Sequence, residues 1–184
     1  MEPWMIAIVI VAIVVVAAFI WLMYDRTRSQ HLRQRFGPEY DRAVSEIGNR
    51  HRAESELARR EARAIEIRNR SLNPLDRDRF ASQWKLCQAQ FVDDPVGALE
   101  RAEQLLGDVM RTRGYEGDNP FDRMTDIAAA YPQHSNAYRE ACQIMAREKK
   151  GESSTEELRT AFLHYRTLFN DALGGHDEEL RRVS

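Results

Sequence analysis

Hydrophobic positions along this chain fall into two regimes. From residue 3 to 24 the sequence runs PWMIAIVIVAIVVVAAFIWLMY without one charged side chain, and beyond it apolar residues recur only at helical spacing amid dense charge. At roughly 1.5 Å per residue the first run covers a hydrocarbon layer of roughly 30 Å, which predicts a single transmembrane anchor over residues 1–24. Trp4 at one end and Trp21 with Tyr24 at the other stand where amphipathic rings settle among headgroups. A cleaved signal would show a basic start and a small-residue cleavage site, whereas here Met1 and Glu2 carry no basic group and Ala17-Ala18 is followed by more apolar residues. A buried core helix is the competing assignment. It fails because too little chain remains to cover an apolar surface on every side.

The second regime opens with a basic cluster, Arg26, Arg28, His31, Arg33 and Arg35. Basic residues on one flank only predict an outside N-terminus and a cytoplasmic C-terminal domain, and the same cluster suits anionic lipid headgroups, at about 1 kcal/mol per Arg near the surface. Residues 25–71 form a charged helical connector in this reading. Gly37-Pro38 restarts the helix, and residues 39–69 favour helix throughout. Tyr40, Val44, Ile47, His51, Glu54, Ala58, Glu61 and Ile65 trace a seam at alternating steps of four and three. With His51, Glu54 and Glu61 in core positions, the seam favours a solvated spacer over a coiled coil and leaves only weak homo-oligomerisation open.

Residues 72–173 carry five amphipathic stretches with their own punctuation. Phe80, Trp84, Cys87 and Phe91 share one face. Asp94-Pro95 starts the next stretch, which ends at Gly114, and Asn119-Pro120 starts a third. Ser135 is the expected cap of a fourth, and Ser154 with Glu157 forms a capping box for a fifth ending at Gly174-Gly175. No segment alternates as a strand does. The expected fold is all-α, with a compact C-terminal bundle of about five helices and a flexible tail at residues 174–184.

Composition adds limits. The chain has 184 residues, a formal net charge of −2 and two cysteines, which leaves room for one modest domain beside the anchor. Cys87 and Cys142 show neither CxxC nor metal spacing and read as free core thiols in a reducing compartment. The basic surplus lies in the connector, so nucleic acid is not an expected partner.

Three blocks, RFGPEYDRAV at 35–44, FVDDPVGALERAEQLLGDVMRTRGY at 91–115 and LRTAFLHYRTLF at 158–169, resemble a widespread bacterial family of uncharacterised, membrane-anchored helical proteins. The resemblance implies a bacterial source and this same layout. It implies no activity, cofactor or catalytic residue.

The sequence offers no catalytic, cofactor-binding or metal residue. The five histidines have no HExxH or zinc spacing, and no phosphate loop, nucleophile elbow or dinucleotide fingerprint occurs. Asp118, Asp122 and Asp126 lack the rest of a calcium loop and read as helix-start acids. The segment with Arg111, Arg113, Tyr115 and Asp118 around two glycines is the expected exposed interaction loop. The favoured function is a non-enzymatic interaction or scaffold module at the cytoplasmic face of a bacterial inner membrane, binding the bilayer and a protein partner. The alternatives are an apolar-ligand or lipid-sensing domain, with Trp84, Phe121, Tyr131 and Phe162 available to line a cavity, and an enzyme whose site is assembled from separate helices.

Overall fold

The structure is a computed structural model that describes the backbone of residues 3–69, 71–115 and 120–174. Along the apolar run it describes side chains only at positions 4, 12–13, 15–17, 19–20 and 23, and those of Arg28, Pro120 and Phe121 also lie outside the description. Every regular element among the described residues is helical: α1 (Pro3–Phe36), α2 (Pro38–Ile47), α3 (Arg50–Arg68), α4 (Pro74–Asp93), α5 (Pro95–Arg113), α6 (Pro120–Ala130), a 3₁₀ turn at Pro132–His134, α7 (Ser135–Glu148) and α8 (Thr155–Ala172). The chain is all-α. Among the described residues no helix is long and apolar enough to cross a membrane, although the backbone of α1 continues unbroken through all 34 of its residues. The expected tail, apart from Gly174, lies outside the described residues, as does the expected cap Asn119.

The chain divides into two compact units, Met1–Leu57 and Ala58–Ser184. The division falls inside α3, not at residue 72. In the N-terminal unit the single connector helix expected over residues 39–69 is corrected to two. Gly37, at φ 56°, turns the chain into α2, and Pro38 fills the first helical position. Gly48 then ends α2 in the left-handed region at φ 67°, with its N–H on the Val44 carbonyl, 3.0 Å. Asn49 restarts the chain as α3, its side-chain oxygen accepting from the Arg52 N–H at 3.1 Å. The seam is therefore discontinuous. Tyr40, Ala43, Ala53, Glu54 and Leu57 are buried, while His51 is exposed and Ile47 is 41% exposed. This end of the connector is no solvated spacer.

In the C-terminal unit α4 packs on α5, α5 on α8 and α8 on α7. Its centre is a stack of rings, Trp84 lying 4.5 Å from Phe169 and 5.3 Å from Phe162, with Phe91 a further 4.7 Å from Phe162. The helix starts follow the sequence at two places. Asp94 accepts from Gly97 N–H at 2.9 Å, and Ser154 with Glu157 closes a reciprocal capping box, while α4 gains a cap from Asn73, whose side chain accepts from Leu75 N–H. Ser135 departs from the sequence. Its hydroxyl donates backwards to the Pro132 carbonyl at 3.0 Å, so it steadies the 3₁₀ turn, and His134 holds the cap position of α7 with no side-chain bond to the helix start.

Candidate functional site

In the N-terminal unit the most tightly organised polar group is a buried carboxylate. Glu54, 2% exposed on α3, accepts from Ser29 Oγ of α1 at 2.7 Å, from Tyr40 Oη of α2 at 2.6 Å and from Arg50 Nε one helical turn earlier at 2.9 Å. Arg50 also reaches Ser29 Oγ through Nη2 at 2.5 Å. One acid thus joins three helices. Burial pushes the Glu54 pKa up, but the bonds from Tyr40, Arg50 and Ser29 and the Arg50 charge outweigh it, so the net shift is downward. Tyr40 moves up, through burial first and then through its bond to Glu54 and that carboxylate's charge. The bonds to Glu54 and Tyr40 hold Arg50 above its ordinary value.

Beside this cluster lies a cavity of about 490 Å³ lined by Arg26, Ser29 and Arg33 of α1, Tyr40 and Asp41 of α2, and Arg50. Arg33 lies over the Tyr40 ring at 5.3 Å and bonds Asp41 at 3.0 Å. Three guanidinium groups against one carboxylate leave this lining basic. Of the expected membrane-interface residues, Arg26 and Arg33 are exposed and share this cavity, Arg35 is half-buried, and Trp4 is exposed. The side chains of Trp21, Tyr24 and Arg28 lie outside the described residues. The sequence missed the convergence of Ser29, Tyr40 and Arg50 on Glu54. Its one available signal was the i, i+4 spacing of Arg50 and Glu54, which is common on any charged helix.

The expected interaction loop is corrected at two of its residues. Arg113 is buried, donating from Nε to the Ala172 carbonyl at 2.5 Å and from Nη1 to the Arg68 carbonyl at 3.1 Å. Tyr115 is buried with its hydroxyl on the Ala64 carbonyl at 3.0 Å, and burial drives its pKa upward. Both fasten the end of α3 to the rest of the C-terminal unit, as does the Arg60–Asp122 pair at 2.9 Å. Arg111 is exposed, beside Asp108, and lines a second, smaller cavity with Arg79 and Phe80. Asp118 lies outside the described residues.

Elsewhere the titratable groups hold helices together. Burial pushes both thiols up to about 11, and Cys87 donates to the Ala98 carbonyl at 3.0 Å. His134 Nε2 meets Asp171 at 2.7 Å, and His164 meets Glu140 at 3.1 Å. Among the described residues no group of three or more His, Cys, Asp or Glu side chains can hold a metal ion. Trp84 and Phe162, named as cavity lining, stack on one another instead. Comparison with known proteins matches no family model, no curated relative and no solved structure.

Proposed function

We propose that this chain is a membrane-anchored helical interaction module of a bacterial inner membrane, with α1 as the anchor and the C-terminal unit at the cytoplasmic face. One observation carries the reading. α1 is a continuous helix over an uncharged apolar run, and its described side chains there are open, Ile13, Val15, Val16, Phe19 and Ile20 being 55–62% exposed on more than one face. Water disfavours such a surface by about 25 cal/mol per Å², and a bilayer does not. Arg26, Arg28, Arg33 and Arg35 favour the cytoplasmic side for the chain beyond the apolar run, and the resemblance carried by the three sequence blocks supports the bacterial setting. A non-enzymatic role suits a molecule in which Glu54, Cys87, His134 and His164 bond to its own helices. A protein partner suits the open apolar side chains of α4, where Leu75 is 78% and Val92 82% exposed.

Alkaline carbonate extraction with protease shaving tests the proposal. The chain is expected to stay in the membrane pellet, and its C-terminal unit to be cut in inverted vesicles but not in intact cells. Release by carbonate would refute the anchor, and digestion in intact cells would refute the orientation.

A further inference from the structure

The basic cavity in the N-terminal unit lies at a level that the apolar run itself fixes. Arg26 comes two positions after the last apolar residue, Tyr24, about 3 Å along the helix, and Arg33 stands about 10 Å further on the same face. A headgroup layer is about 5–8 Å thick on each side of the hydrocarbon. If α1 is the anchor, as proposed above, the Arg26 end of the cavity falls among lipid phosphates and the Arg33 end stands just beyond that layer.

The lining is also built for an oxyanion. Arg50 is held in place by Glu54 and Ser29, and Arg33 by the Tyr40 ring and Asp41. Each guanidinium has five N–H donors in a rigid fork, so these bonds orient the two groups without exhausting them. Arg26 completes the set from α1. The residues come from three helices, so the pocket exists only because Gly37 and Gly48 fold α2 and α3 back beside α1.

We infer that Arg26, Arg33 and Arg50 form a binding pocket for the phosphate of an anionic phospholipid headgroup. The bound chemistry is a phosphate oxyanion, its source is the lipid, and the site rests on the anchor reading above. Its role is to fix the N-terminal unit against the leaflet.

Native mass spectrometry of the full chain in detergent micelles tests this, titrating phosphatidylglycerol, phosphatidylcholine or inorganic phosphate. Phosphatidylglycerol is expected to be retained in preference. Arg26→Gln or Arg33→Gln should each lower that preference about fivefold, while Arg166→Gln, an exposed charge on α8, should not change it. Arg26 and Arg33 are exposed, so both variants keep the fold, which circular dichroism checks. Equal retention of both lipids overturns the inference, and so does an equal effect of Arg166→Gln. Displacement of the lipid by millimolar inorganic phosphate assigns the pocket to a soluble anion and overturns the lipid source. Carbonate extraction of the same protein reads the anchor separately: a chain that stays in the membrane yet shows no headgroup preference fails here alone, and a chain that is extracted yet selects phosphatidylglycerol fails only as an anchor.

Discussion

Glu54 sets how the N-terminal unit responds to pH. Its folded pKa lies below the ordinary value of 4.5, so its contribution to stability is complete above that value and is lost as pH falls through the folded one. Tyr40 has the opposite sign: its folded pKa is above 10.0, so its contribution is complete below that and is lost as pH rises further. Thermal unfolding monitored by circular dichroism should therefore show a plateau across neutral pH with an acid limb and an alkaline limb. Tyr40→Phe should shrink the alkaline limb, to which buried Tyr115 and the two thiols also contribute, and should weaken the acid limb by removing a bond that lowers the Glu54 pKa, and Glu54→Gln should cost about 1–3 kcal/mol at pH 7. An unchanged profile in both variants would mean that the cluster does not hold the unit. In the other unit Trp84 is 5% exposed within the ring stack, and Trp84→Ala should cost about 3–5 kcal/mol in urea unfolding. A loss under about 1 kcal/mol would place the ring outside the core.

The helices themselves were largely legible, because proline starts, acidic caps and helical stripes are local signals. Asp94, Ser154 and Glu157 act as their spacing predicts. The break at Gly48 was not legible in the same way. A lone glycine in a charged helical stretch is compatible with a continuous helix and with a helix end, and only its left-handed conformation decides between the two. Once α2 and α3 are separate, Glu54 is satisfied by its own chain rather than facing a symmetry mate. A fragment of residues 25–173 should therefore sediment as a monomer at micromolar concentration near pH 7 and stay monomeric near pH 5. A tight dimer at either pH would restore the seam. Gly48→Ala meets no steric obstacle, so its cost should be the left-handed strain alone, about 1–2 kcal/mol by thermal unfolding. No loss would indicate that α2 and α3 join into one helix.

For the whole molecule, the C-terminal unit cannot be cut at residue 72 without loss. Such a cut removes buried Ala64 and Ile67 together with the carbonyls that serve Tyr115 and Arg113. A fragment of residues 72–174 should be less stable than one of residues 50–174 by on the order of 4 kcal/mol in urea, and equal midpoints would show that α3 contributes nothing to that unit. At two of its four residues the exposed-loop expectation failed for the same reason: Arg113 and Tyr115 look like loop residues in sequence, and their partners lie 45 and 51 positions away. Arg113 also bears on the order in which the protein is made. Its guanidinium waits for a carbonyl at Ala172, 59 residues later, whereas Ser29 and Glu54 are only 25 apart. As the ribosome delivers the chain from its N-terminus, the first unit has all its partners early, and the second stays incomplete until α8 has emerged. Nascent chains stalled before α8 should thus resist protease through α2 while α5 remains open to cleavage, with protection of α5 arriving in one step when α8 is added.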